Sequence, residues 1–187
     1  MTLDRAASRI DGVRFGAIAR FGDARGTFRE LWRASASTSP DAYTQVNLST
    51  SAVGVLRGLH LHRHQLDHWV VTRGRAFVAL VDVRPMLADD PAPAPIVETR
   101  ELAEDDWVDI PIGVAHGFLA LEPLELVYLV TNEYDGSDEL GFAWDDPLAS
   151  VPWPTVAAAP DGRPILSDRD RTNPSLTELV ARLRATA

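Results

Sequence analysis

The sequence predicts an all-β sandwich or barrel, on three observations. Short runs rich in Val, Leu, Phe, Tyr and Trp fill the central two thirds of the chain, turn residues break them at strand-like intervals, and helical periodicity is scarce. In chain order the runs are Val13 to Arg20, Val53 to His62, Trp69 to Val71, Ala76 to Val83, Ala115 to Leu121 and Leu124 to Val130. Arg73-Gly74 and Pro111-Ile112-Gly113 supply turns, and Asp89 to Pro95 reads as a solvated loop because strand-like sequence resumes after it. Ala157 to Pro164 is a connection of small residues, Pro and Gly. Beyond it Ser175-Leu176-Thr177-Glu178 has the form of a capping box, and Leu176, Leu179, Val180 and Leu183 follow helical spacing. A short amphipathic C-terminal helix packed on the domain is therefore expected.

The 187 residues, 45% hydrophobic and 24% charged, suit a single domain spanning 1–187, with a core over about 10–156 and a C-terminal loop and helix over 157–187. A net charge of −9 argues against nucleic acid or an anionic membrane as partner. All 18 basic residues are Arg, and Cys is absent. Lysine Schiff bases, thiol nucleophiles, disulfides and thiolate zinc sites are thereby excluded. No apolar stretch reaches the roughly 18 residues of a membrane span, and the N-terminus lacks the apolar core of a signal peptide, so a cytoplasmic location is expected.

The groups left to titrate near neutrality are His60, His62, His64, His68 and His116. Strand alternation sets His60 and His62 on one face with Leu56 and Gly58, and Arg57, Leu59 and Leu61 on the other. Two imidazoles on one face suit proton transfer or metal binding, or are hydrogen-bonded interior histidines. His64 and His68 read as surface or loop residues.

Gly54, His60, His62, Asp67 and Gly74 resemble the first cupin signature, with Asp where Glu is commoner, and Pro111, Gly113 and His116 resemble the second. The resemblance implies a double-stranded jelly roll. Further segments narrow it: Asp23 to Glu30, Gln45 to Ser49, Gly54 to His60, Ile110 to Phe118, Val127-Tyr128, Trp144 to Pro147, and Pro164 to Ser167 followed by Asp170. In that order they resemble the dTDP-4-dehydrorhamnose 3,5-epimerase family, cupin isomerases that invert carbons beside the ketone of a 4-keto-6-deoxy sugar nucleotide. The resemblance implies His60 as base, Asp170 as the carboxylate orienting it and Tyr128 as acid. It implies substrate contacts from Arg25, Glu30, Gln45, Asn47, Arg57, His116, Tyr134, Glu139 and Arg169. It further implies a nucleotide sugar as ligand, no cofactor, and a homodimer.

One position departs from the family pattern. Where the family carries a Lys seven residues after the base, this chain has Asp67. Loss of one oxyanion donor typically costs about 2.7–4 kcal/mol, so something else must hold the enolate charge. Three readings follow. Protonated His68 or an Arg takes over and the chain is an epimerase; or His60, His62, Asp67 and His116 bind a divalent metal such as Zn, Fe, Mn or Ni; or the fold keeps a nucleotide-sugar pocket without turnover.

Overall fold

A computed structural model describes residues 7–36, 42–155 and 162–186. Residues 157–161 of the connection expected at Ala157 to Pro164 lie outside them. Two five-stranded antiparallel sheets stack face to face, giving the expected double-sheet jelly roll. The first sheet runs β1 (Arg14–Ala17), β9 (Asp106–Ile110), β6 (Asp67–Arg73), β11 (Leu124–Val130), β4 (Gln45–Ser51). The second runs β12 (Leu140–Gly141), β5 (Leu56–Leu61), β10 (Val114–Ala120), β7 (Arg75–Asp82), β8 (Ile96–Ala103). A separate hairpin joins β2 (Arg20–Asp23) to β3 (Gly26–Arg29).

Period-two alternation divides the inner strands of the second sheet between two apolar environments. Val78 and Leu80 of β7 and Val114 and Phe118 of β10 meet Trp69, Val71, Leu124 and Leu126 of the first sheet in the inter-sheet core. Ala79 and Val81, one residue out of phase, turn to the outer face of the second sheet. There they pack under the helix α3 (Leu176–Ala185), whose Leu176, Leu179, Val180 and Leu183 are buried. Its Ser175–Glu178 capping box is fully formed, as its sequence predicts. Two shorter helices, α1 (Arg84–Leu87) and α2 (Asp168–Thr172), carry too few residues for periodicity to reveal them. No helix among the described residues is long and apolar enough to cross a membrane.

Candidate active site

At one end of the sandwich the apolar filling gives way to a cavity of about 380 Å³ between the two sheets. Gln45, Asn47, Asp67, Trp69 and Tyr128 enter from the first sheet, whereas Arg57, His60, His62 and His116 come from β5, its end and β10 of the second. Tyr134, Glu139 and Arg169 close the rim.

Arg57 shares this cavity with His60, contrary to the face expected from simple alternation. His60 pairs with His116 and Arg57 with Phe118, so two β5 residues oppose the single Gly117 of β10. Such a bulge shifts the alternation by one. Gly117 fits there because a Cβ would lie 2.7 Å from the Arg57 carbonyl oxygen. Upstream of the bulge Arg57 faces inward, and downstream His60 and His62 do so while Leu59 and Leu61 pack toward α3.

His60 Nε2 lies 2.7 Å from Asp170 Oδ1. Asp170 sits in the first turn of α2, where the Ser167 side chain accepts its backbone N–H and Ser167 Oγ donates to Asp170 Oδ2 at 2.9 Å. Burial alone would raise the Asp170 carboxyl, but the bond from His60 and then that from Ser167 hold it below the ordinary carboxylate value. An ionised carboxylate only accepts, so His60 Nε2 carries the shared proton, and in the neutral ring Nδ1 holds the lone pair. The His60 side chain is 24% exposed, on the cavity, while that of Asp170 is 4% exposed.

Tyr128 stands in register with Asn47 on one side and Trp69 on the other. Burial, reinforced by the Asp67 charge, raises its phenol above its ordinary value and keeps it protonated at neutral pH. Burial also pushes the His116 imidazole down to about 4, although Asp67 opposes this. His116 is therefore neutral at pH 7. Gln45 Nε2 donates to Asn47 Oδ1 at 2.8 Å, and Gln45 Oε1 accepts the Tyr134 backbone N–H at 2.8 Å. Arg169 is ion-paired with Glu139, and Arg57 reaches the Ser51 hydroxyl at 3.2 Å.

The structure thus gathers His60, Asp170, Tyr128, Gln45, Asn47, Arg57, His116, Tyr134, Glu139 and Arg169 in or directly behind one cavity. It does not bring Arg25 and Glu30 there. Arg25 sits at the turn of the β2–β3 hairpin, 89% exposed and paired with Asp23, and Glu30 follows β3 and pairs with Arg33. Arg20 and Arg29 clamp the hairpin to Glu104 and Asp105, away from the cavity.

Two expectations about histidines change. His68 is buried rather than at the surface, and alternation along β6 turns it to the opposite face of the sheet from Asp67. It meets Asp109 at 2.5 Å beside a second cavity, so it cannot supply charge to the first. His64 is exposed, as expected. Of the proposed four-residue metal set, one atom each of His62, Asp67 and His116 lie within 4.8 Å of one another, all three residues buried, while His60 stands outside that group with its Nε2 on Asp170. Residues the sequence reasoning missed include Gln65 and Trp69, which donate to Asp67 at 2.7 and 3.0 Å, and Ser167. Ser167 had a visible signal, a Ser three residues before an acid at a helix start.

The family model for dTDP-4-dehydrorhamnose 3,5-epimerase matches residues 7–178. The Escherichia coli protein of that name is 34% identical over 168 residues, covering 86% of this chain and 87% of the relative. The Pseudomonas aeruginosa protein of the same name is 37% identical over 161 residues, covering 81% and 83%. Among solved structures, the Legionella pneumophila dTDP-6-deoxy-D-glucose-3,5-epimerase, in complex with dTDP-4-keto-L-rhamnose, superposes with a TM-score of 0.81 at 27% identity, covering 94% of each chain. Since the match takes in both sheets, the cavity between them and the α2 segment that carries Asp170, the chain belongs to the dTDP-4-dehydrorhamnose 3,5-epimerase family.

Proposed function

We propose that this protein epimerises one or both carbons flanking the ketone of a dTDP-4-keto-6-deoxyhexose, with His60 as base and Tyr128 as acid. The observation that carries the reading is that the His60–Asp170 pair and Tyr128 face the same cavity from opposite sheets. Inversion needs that arrangement, because a proton must leave one face of the sugar and another must arrive on the other. His60 Nδ1 takes the C–H proton while the bonding electron pair moves onto the ketone oxygen as an enolate. Asp170 holds the ring and offsets the imidazolium charge, as an orienting carboxylate does. Tyr128 then protonates the carbon from the other side, the electron pair returns from oxygen, and solvent restores Tyr128 and discharges His60.

Relatives' complexes with dTDP sugars support a nucleotide-sugar ligand for this site. Arg57 is suited to the diphosphate, since a guanidinium pairs bidentately with phosphate oxygens. Gln45, Asn47, Tyr134, Glu139 and Arg169 are suited to the nucleoside and sugar hydroxyls. Arg25 and Glu30 fit this scheme if they serve a partner subunit. A homodimer is supported by Val46 and Leu48 on the outer face of β4, 64% and 62% exposed, and by Phe21 and Phe28 on the hairpin, 61% and 66% exposed.

The test is incubation with dTDP-4-keto-6-deoxyglucose in deuterated water, followed by NMR at both carbons. Deuterium at one or both positions in the wild type, lost in His60→Asn, is expected. Exchange in Tyr128→Phe without net inversion would assign the acid. A wild-type protein that binds the sugar nucleotide but exchanges neither position would sink the reading in favour of a binding module.

A further inference from the structure

We infer that His62, Asp67 and His116 form a binding site for one divalent transition-metal ion, open to the cavity beside His60. The argument starts from which ring nitrogens are already committed. His62 Nδ1 lies 2.7 Å from the Asp138 carbonyl oxygen, and His116 Nδ1 lies 3.1 Å from that of Val114. A carbonyl only accepts, so in each ring Nδ1 carries the hydrogen and the neutral ring offers its electron pair at Nε2. His116 Nε2 then faces Asp67 Oδ2 at 3.5 Å, a lone pair directed at a carboxylate. That juxtaposition is repulsive unless a cation lies between them.

Asp67 is also positioned like a metal ligand. Its two oxygens accept from Gln65 Nε2 at 2.7 Å and from Trp69 Nε1 at 3.0 Å, both neutral donors. They fix the carboxylate without neutralising it, and Asp67 is 4% exposed. A buried carboxylate facing imidazole lone pairs needs a counter-charge. Histidines that donate one ring nitrogen to a backbone carbonyl, with a carboxylate oriented by hydrogen bonds, form the outer shell usual around bound metals. Two imidazole nitrogens and one carboxylate oxygen suit Zn²⁺, Fe²⁺ or Mn²⁺ and leave coordination positions open toward the cavity.

The structure separates this group from the base. His60 is the cross-strand neighbour of His116, yet its Nε2 is held by Asp170. Metal binding and proton abstraction therefore use different histidines. Resting on the epimerase reading above, the ion's role is to bind the ketone oxygen and hold the enolate charge while His60 takes the proton.

Chelator-stripped protein titrated with Co²⁺ tests the site. A single equivalent should bind, with visible ligand-field absorption and a change in Trp emission, since Trp69 touches both Asp67 and His116. Asp67→Asn and His116→Gln should each weaken Co²⁺ binding by more than about 100-fold, because loss of an outer partner alone costs 10–100-fold. His60→Asn should bind Co²⁺ as the wild type does. Near-UV circular dichroism checks that each variant is folded, and His62→Gln replaces any that is not. Co²⁺ loading should raise deuterium exchange by about 10²–10³-fold, the usual worth of one enolate-stabilising group. Absence of stoichiometric Co²⁺ uptake, or uptake abolished by His60→Asn and kept by Asp67→Asn, overturns the inference. Exchange by stripped protein that takes up no Co²⁺ overturns the metal site and leaves the epimerase. Tight uptake without exchange upholds the site and overturns the epimerase.

Discussion

Two His–Asp pairs lie on opposite faces of this molecule's architecture and differ in which partner is shut away. In the cavity, Asp170 is the buried member and His60 reaches the open space with Nδ1 unclaimed among the described residues. Across the first sheet, His68 is the buried member at 8% side-chain exposure, and its Nε2 has no partner among the described residues. Its aspartate, Asp109, is shared with Arg14, and the ring is wedged beside Trp107 and Tyr43. The separations are similar, 2.7 and 2.5 Å. A His–carboxylate bond therefore does not by itself make a base. The ring needs one nitrogen held and the other free to meet a substrate, with an acid across the gap.

The largest expected effect comes from exchanging the two histidines' fates. His60→Asn should lower deuterium exchange by about 10²–10⁴-fold, the range of a positioned general base. Its stability should fall by only about 1 kcal/mol, since Asp170 loses the bond from His60 but the partly open ring site admits water as a replacement. His68→Asn should do the reverse: exchange unchanged, and stability lower by about 1–3 kcal/mol because a buried polar contact is broken. Parallel exchange assays and urea denaturation measure both. Equal loss of exchange in the two variants would dissolve the distinction.

Asp170→Asn probes the same contrast one step from the substrate. The amide offers no charge to imidazolium, so exchange should fall by about 10²-fold, at the low end of acid–base contributions. Because Asp170 is held below its ordinary value when folded, its stabilising contribution is present above the unfolded carboxyl's pKa and disappears as pH falls through the folded one. The variant should lack that component of acid destabilisation, visible as a flatter stability profile below about pH 4. An unaltered acid limb would mean that the His60–Asp170 bond contributes little to folding.

His116 gives a third, pH-dependent measure, best read in chelator-treated protein. Burial lowers its folded value from 6.5 to about 4, so the unfolded chain binds more protons between those limits. Stability should therefore fall as pH is lowered from 6.5 toward 4, by up to about 3 kcal/mol at roughly 1.4 kcal/mol per unit. His116→Gln, which cannot titrate, should flatten that limb. Denaturation midpoints at intervals across the window decide the matter, and a wild-type profile level between pH 4 and 6.5 would contradict the assignment of a neutral buried ring.

How much of this was legible in the sequence follows from the range of the interactions. The strands β7 and β11 announce themselves because alternation and β-branched content are local, and α3 because its cap and its apolar stripe lie within one segment. His60 and Tyr128 reached the cavity as expected, but only the resemblance pointed to Asp170, 110 residues beyond His60. Arg57 was assigned to the wrong face because the extra β5 residue is defined by its partner strand, not by β5 itself. His68 is buried against expectation because the apolar run visible in the sequence begins only at Trp69, while the Asp109 and Trp107 that bury His68 come from β9. The grouping of His62, Asp67 and His116 without His60 likewise depends on which carboxylate each ring meets in space.

The smallest expected effect tests how the cavity pair is held. Ser167 has two tasks: its Oγ accepts the Asp170 backbone N–H at the start of α2, and it donates to Asp170 Oδ2. Ser167→Ala removes both, and loss of such a cap costs about 1 kcal/mol. Since α2 is a single short turn, the loss should appear locally, as faster amide exchange at Asp170 and Arg171, more than in the global melting point. With Oδ2 released, the carboxylate can rotate away from His60, so catalytic exchange should fall severalfold while KM stays constant, because no substrate contact has gone. Ser167→Thr keeps the hydroxyl and should restore both. In the outer pair Asp109 is steadied by Arg14 rather than by a helix start. If Ser167→Ala left exchange and the α2 amides untouched, the orientation of Asp170 would rest on His60 alone, and the cavity pair would be no better supported than the buried one.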